Sequence, residues 1–206
     1  MKTLMMMVAA LALSASAETL TWTGGDTGKL TDTTWSASRA PQAGDRLVVP
    51  TGKTVTAMVS DGTLLASLTG VDLSGTFVLD GFSSAAYDLP ATFTLSGAGA
   101  YKILNCAKTV NVRGDNSAFS GSITVSNSWF TVCNGKALGT GPVSVYRGSI
   151  GSMNSFFRVA VAGTFANPLY FDAGGGYFGF ELYSNLNVVW SGPITCTASS
   201  AGTCPR

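Results

Sequence analysis

The chain has 206 residues, with 12 basic and 11 acidic side chains. Only 11% of its residues are charged, against roughly 25% in ordinary globular proteins. Histidine is absent, which excludes Ser-His-Asp and Cys-His catalytic sites and His-containing zinc sites. A chain so close to electroneutrality has no strongly basic surface, so no nucleic-acid partner is expected.

The N-terminal segment, residues 1–17, has the three parts of a secretory signal peptide. Lys2 gives a positive start, residues 4–13 form an uncharged apolar run, and Ala-Ser-Ala at 15–17 is a small-x-small cleavage site before Glu18. The apolar run is too short to span a bilayer, which takes about 20 residues. We therefore expect export to an extracellular or cell-surface (outer-membrane-associated) location, with no integral membrane segment after cleavage. The alternative is a buried N-terminal helix.

Beyond the signal, short stretches of alternating apolar and polar residues are separated by Gly, Asn, Asp and Ser. This alternation is typical of β-strands bounded by turns, and no helical periodicity is evident. The predicted strands cover residues 47–49, 54–59, 76–79, 92–95, 109–112, 122–125, 129–132, 143–146, 167–171 and 186–190. Many short strands fit a sandwich, a barrel or a solenoid, and periodicity alone does not separate these folds.

The connections between the predicted strands favour a solenoid. Asp61-Gly62, Asp80-Gly81 and Asn134-Gly135 are the candidates for the two-residue turns that join hairpins. Most other connections, such as residues 139–142, are longer and irregular, and the corners of a solenoid accommodate such variation. The sequence thus predicts an all-β fold, with an antiparallel β-sandwich as the alternative to the solenoid.

The four cysteines are Cys106, Cys133, Cys196 and Cys204. In an oxidising compartment an even number suggests disulfides, and four cysteines allow three connectivities. Proximity in sequence favours Cys106–Cys133 and Cys196–Cys204, and buried free thiols are the alternative.

No catalytic residue, cofactor site or metal site is predicted. Cleavage of polysaccharide would need paired carboxylates, yet the acids stand mostly beside Gly, Ser or Asn, where Asp commonly forms turns. Arg113 and Asp115 alternate along one stretch, and we expect them to form a surface pair.

Aromatic residues crowd the segment 170–183. Exposed rings could contact sugars or a protein, since aromatic side chains are enriched at interfaces. The alternative is that the rings fill the interior of the larger turns. Tyr170, Tyr177 and Tyr183 are the candidate ligand contacts, and cell-surface glycans or other surface proteins are the candidate partners.

A patterned segment covers residues 116–150. It opens with NSAFSGSITV at 116–125, continues with ALGTGPVSV at 137–145, and closes with GSI at 148–150. This segment resembles the passenger-associated, or autotransporter-associated, β-strand repeat. The resemblance implies a right-handed parallel β-helix on a secreted or surface-displayed bacterial protein.

The expected organisation has three regions: the signal peptide at 1–17, an N-terminal cap-like β region at 18–90, and β-helix turns at 91–206. The turns contain one clear repeat at 116–150, and we expect the last turn, near Ile194, to be incomplete and uncovered. The leading functional hypothesis is a non-enzymatic structural or adhesin-like scaffold. A polysaccharide-binding or polysaccharide-degrading β-helix protein is the alternative.

Overall fold

The computed structural model describes residues 16–81, 86–146, 155–172, 178–183 and 185–197. Most of the predicted signal peptide lies outside these residues. So do Tyr177, Cys204 and the closing residues 148–150 of the patterned segment.

The described residues form 19 strands, one α-helix and one 3₁₀ turn. The strands are β1 (Thr19–Thr21), β2 (Thr27–Lys29), β3 (Arg46–Val49), β4 (Thr54–Met58), β5 (Gly70–Leu73), β6 (Thr76–Asp80), β7 (Tyr87–Leu89), β8 (Thr94–Gly97), β9 (Ala100–Leu104), β10 (Thr109–Val112), β11 (Ser122–Ser126), β12 (Trp129–Val132), β13 (Val143–Tyr146), β14 (Ser155–Val159), β15 (Gly163–Phe165), β16 (Leu169–Asp172), β17 (Phe178–Leu182), β18 (Val188–Trp190) and β19 (Ile194–Thr197). The 3₁₀ turn is Val59–Asp61, and helix α1 is Gly62–Ser67.

The strands stack as a right-handed parallel β-helix of about 7 turns. One sheet has eight strands in the order β2-β4-β6-β9-β11-β13-β16-β19, a second has the order β7-β10-β12-β14-β17, and a third has the order β1-β3-β5-β8. Strands β15 and β18 form a further pair. All pairings between these strands are parallel, and the one antiparallel contact among the described residues is the isolated bridge between Trp22 and Trp35. The predicted solenoid is therefore confirmed, and the antiparallel sandwich is wrong.

The register shows the length of one turn. Thr54 pairs with Thr76, Thr76 with Ala100, and Ala100 with Ser122, so each of these turns takes 22 to 24 residues. The same eight-stranded sheet crosses residue 90 without a break, because β6 pairs with β9.

Inward-facing residues of successive turns lie on top of one another along the eight-stranded sheet. One such column consists of Val55, Phe77, Tyr101, Ile123, Val143 and Leu169, all of which are buried. Burial of a Val, Leu, Ile or Phe side chain contributes about 1.5–3 kcal/mol, and each turn achieves it only by stacking on its neighbours. Ile194 follows Leu169 in this column and is 54% exposed.

Helix α1 was not predicted from the sequence. It has only six residues, too few to display a helical period. Leu65 is buried, and the Gly62 carbonyl accepts a hydrogen bond from the Tyr87 hydroxyl at 2.6 Å. The dipeptide Asp61-Gly62 therefore leads into this helix and not into a hairpin, and the pairs Asp80-Gly81 and Asn134-Gly135 also join no antiparallel strands.

Glycines form a column at one corner of the helix. A Cβ on Gly141 would collide with the carbonyl oxygen of Gly121, one on Gly121 with that of Gly99, and one on Gly99 with that of Gly75. The corner at Ser120-Gly121 therefore requires glycine, because successive backbones approach too closely there for any side chain.

The predicted Cys106–Cys133 disulfide is wrong. The backbone N–H of Cys106 donates to Ser128 Oγ before β10 and β12 begin, whereas that of Cys133 donates to the Val112 carbonyl where β10 ends. A four-residue strand, about 13 Å at 3.3 Å per residue, separates the two levels, and a disulfide needs Cα atoms within about 7 Å. The other predicted pairing includes Cys204, which lies outside the described residues, and stays a prediction.

Within the described part of the chain, no helix has the length and apolar character that crossing a membrane would require.

Candidate ligand-binding surface

The predicted aromatic contacts lie on different faces of the helix. Tyr170 is in β16 of the eight-stranded sheet and is 45% exposed. Tyr183 follows β17 of the five-stranded sheet and is 49% exposed. The structure therefore does not bring these two rings together, and Tyr177 lies outside the described residues.

A different tyrosine accompanies Tyr170. Tyr146, at the end of β13, is 42% exposed and is in register with Asp172, while Tyr170 is in register with Ser144. The two rings are thus one turn and two residues apart on the same face, about 8 Å between Cα atoms for strands spaced about 4.8 Å. They line a shallow groove of about 260 Å³. Its lining residues are Tyr146, Tyr170, Phe171, Asp172, Thr195 and Thr197.

Strand alternation explains why these tyrosines face outward. Val143 and Val145 of β13 are buried in the interior, so the residues between and after them project from the sheet. Leu169 and Phe171 do the same for β16. The period-two pattern of Val143 to Tyr146 carries this signal, although Tyr146 is not among the predicted contacts.

Other rings in and beside the aromatic-rich segment fill the interior, as the alternative interpretation predicted. Phe165 and Phe171 are buried, and Phe180 and Trp190 are half-buried. Phe165 stacks on Trp190 with ring centroids 5.4 Å apart, and Trp190 meets Phe180 edge-on at 6.1 Å. The Trp190 indole N–H donates to the Asn167 carbonyl at 3.0 Å, which satisfies its one polar group.

The ion pairs on the outer surface connect neighbouring turns. Arg113 pairs with Asp88 at 3.0 Å, and Lys136 pairs with Asp115 at 2.9 Å. The predicted Arg113–Asp115 pair is therefore wrong, because strands of successive turns are closer than residues two apart along one strand. The hydrogen bond from Lys136 lowers the pKa of Asp115 to about 2.

One polar cluster on the surface is centred on Arg46. Its guanidinium donates to Asp72 at 2.6 Å, to Thr94 Oγ1 at 3.0 Å and to Ser96 Oγ at 2.9 Å. The Ser96 hydroxyl also donates to Asp72. Hydrogen bonding from Arg46 lowers the pKa of Asp72, against the opposing effect of partial burial. The cluster spans three successive turns, which gives it a structural role between them.

Among the described residues, no group of three or more His, Cys, Asp or Glu side chains is placed to hold a metal ion. Comparisons of the chain with protein-family models, curated proteins and solved structures find no match. The Tyr146–Tyr170 groove, which combines two exposed rings with polar groups, is the candidate ligand-binding surface.

Proposed function

We propose that the chain is exported from a bacterial cell and acts there as a secreted or surface-displayed, non-enzymatic structural or adhesin-like scaffold. The observation that carries the proposal is the eight-stranded parallel sheet, which runs along the β-helix. About 7 turns at about 4.8 Å each give a rod section about 34 Å long. A rod of this kind presents one broad sheet surface, which suits a scaffold whose function does not depend on a cleft.

The chemistry of that face fits an extracellular surface. Its outward-facing residues are largely hydroxyl side chains: Thr54, Thr56, Thr76, Ser122, Thr124, Ser144 and Thr195. Such groups hydrogen-bond water and neutral polymers without depending on charge. On the other faces, ion pairs such as Arg46–Asp72 and Arg113–Asp88 connect successive turns and so reinforce the stack.

A polysaccharide-binding function is the second candidate, and the Tyr146–Tyr170 groove favours it. Small-molecule sites characteristically combine aromatic surface with a few polar groups. Here two exposed rings stand beside the carboxylate of Asp172 and the hydroxyls of Thr195 and Thr197. This arrangement suits a neutral sugar chain that stacks on the rings and hydrogen-bonds at their edges.

Export is tested with the full-length chain in a bacterial host. We expect the protein outside the cytoplasm, with an N-terminal sequence that begins at Glu18. The control replaces the cleavage-site residue Ala15→Arg, which should leave uncleaved precursor at the membrane. A wild-type protein that remains in the cytoplasm with residues 1–17 attached would contradict the proposal.

Binding is tested on arrays of bacterial and host polysaccharides. If the second candidate is right, the Tyr146→Ala and Tyr170→Ala double variant should lose at least tenfold in affinity while its circular dichroism stays unchanged. Tyr183→Ala is the matched control, because this ring is equally exposed but lies on another face. If the wild-type protein binds no polysaccharide, the second candidate is wrong and the scaffold function is the one that remains.

A further inference from the structure

Asp45 is a buried carboxylate surrounded by hydrogen-bond donors. Its side chain is 1% exposed. The Arg39 guanidinium donates to both of its oxygens, at 2.6 and 3.1 Å, and the backbone N–H of Gln42 donates to Oδ2 at 2.8 Å. The remaining donor is the backbone nitrogen of Glu18, 2.9 Å from Oδ1. Asp45 thus binds the nitrogen of the residue that follows the predicted cleavage site.

The position of Glu18 is fixed on both sides of this contact. Its carbonyl accepts a hydrogen bond from the Arg46 N–H at 2.8 Å, and β1 begins at the next residue. Its carboxylate accepts from Arg39 at 3.1 Å. The nitrogen is therefore held beside Asp45 by the start of the sheet itself, and its position does not require the residues that precede it.

The charges around this nitrogen do not balance in the uncleaved chain. Two carboxylates, of Asp45 and Glu18, face one guanidinium, of Arg39. The amide of Glu18 adds a donor but no charge. One additional positive charge at the Glu18 nitrogen would neutralise the cluster, and opposite charges attract more strongly where little water screens them.

We propose that removal of the signal peptide creates an ion pair that locks the mature N-terminus into the first turn of the β-helix. A signal-cleaving peptidase adds water across the Ala17–Glu18 peptide bond. Ala17 then leaves as a carboxylate, and the Glu18 nitrogen becomes an α-amine that takes up a proton. The resulting ammonium occupies the place of the former amide, beside Asp45. The inference rests on the proposed export only in supposing that this bond is cut.

The stability contributed by this ion pair depends on pH. An opposite charge within about 4 Å raises the pKa of an amine above its ordinary value of about 7.7–8.0. Stability from the pair is therefore complete below about pH 8 and is lost as the pH rises through the raised value. The charged groups that face the amine are Asp45, Arg39 and the Glu18 carboxylate. Arg39 keeps its charge over this range because its hydrogen bond to Asp45 raises its pKa.

The experiment compares two purified chains made by a fusion protease that leaves no extra residue, so neither depends on export. One begins at Glu18 and the other at Ser16, which moves the free amine two residues away. We expect the α-amine pKa in the Glu18 chain, measured by NMR, to exceed that in the Ser16 chain by at least one unit. We also expect the Glu18 chain to have the higher urea midpoint at pH 7.

Substitutions identify the partner. Asp45→Asn should abolish the difference in urea midpoint between the two chains, whereas Asp72→Asn, which disrupts another arginine pair, should preserve it. If Asp45→Asn does not fold, the comparison of amine pKa values in the unsubstituted chains still decides. The proposed ion pair is contradicted if the α-amine of the Glu18 chain has an ordinary pKa, or if the difference in urea midpoint survives Asp45→Asn. Failure of export in cells would instead count only against the proposed function.

Discussion

The side chain of Asn116 connects three successive turns of the β-helix through hydrogen bonds. It is fully buried, its Oδ1 accepts from the Leu95 N–H at 2.7 Å, and its Nδ2 donates to the Ala137 carbonyl at 2.6 Å. Asn116→Ala would leave both backbone groups buried without a partner. Each such group costs about 1–3 kcal/mol, so we expect the free energy of unfolding to fall by about 4 kcal/mol.

The measurement is equilibrium unfolding in urea followed by tryptophan fluorescence. Asn111→Ala is the matched control, because Asn111 makes one exposed hydrogen bond, to Asp88 at 2.8 Å, and should cost less than about 1 kcal/mol. Asn116→Asp keeps the acceptor for Leu95 but turns a carboxylate oxygen towards the Ala137 carbonyl. Its loss of stability should shrink at about pH 4, where a protonated acid can donate. Similar losses for Asn116→Ala and Asn111→Ala would refute the reasoning.

Three further predictions concern the corner, the surface pairs and the cysteines. Gly121→Ala should lower the free energy of unfolding by more than about 3 kcal/mol or prevent folding, since its Cβ would meet the backbone of the preceding turn. Gly25→Ala is the control, because nothing lies closer than 4.0 Å to a Cβ there, and thermal melting should show almost no change. NMR titration should give Asp115 a pKa of about 2. In Lys136→Met this pKa should return towards about 3.9. Because the pKa is lowered in the folded protein, the contribution of Asp115 to stability is present above about pH 4 and is lost as the pH falls towards 2. A maleimide should label the half-buried Cys133 slowly in the folded protein, because burial raises the pKa of its thiol. The buried Cys106 should stay unlabelled until the chain unfolds. Equal labelling rates for the two thiols would contradict the assigned burial.

The strands with strict alternation could be predicted from the sequence. All ten predicted segments overlap strands of the structure, among them residues 122–125 within β11 and residues 129–132, which coincide with β12. Apolar residues at every second position carried the signal, as with Ile123 and Val125 in β11 and Phe130 and Val132 in β12. Alternation does not report which strand pairs with which, so the parallel arrangement rested on the resemblance of residues 116–150 and on the irregular turns.

Some of the strands that escaped prediction lack such regularity. Strand β14 reads SFFRV, in which the outward Phe156 packs against Trp129 with centroids 4.8 Å apart. Strand β2 reads TGK and has no large apolar residue. These strands exist because a neighbouring turn supplies a template of backbone donors and acceptors, and that information is not local in sequence.

The Cys106–Cys133 pairing is wrong, and the predicted contacts Tyr170 and Tyr183 lie on different faces, for a related reason. Nearness in sequence does not give nearness in a solenoid, where contacts join residues more than twenty positions apart. Tyr170 and Tyr183 are close along the chain but lie on different sheets, whereas Tyr146 and Tyr170 share a groove. Cys106 and Cys133 are separated by about one turn in sequence, yet they lie at opposite ends of their strands.

The similar length of the turns has a consequence for how the chain reaches its fold. Among the described residues, a residue of the eight-stranded sheet finds its partner 20 to 27 positions away. Closing a loop of that size carries nearly the same entropic cost each time. Once two turns have formed, each further turn meets a prepared edge and adds its own burial. The rate of folding should therefore depend on making the first pair of turns, and additional turns would lengthen the rod without raising that barrier.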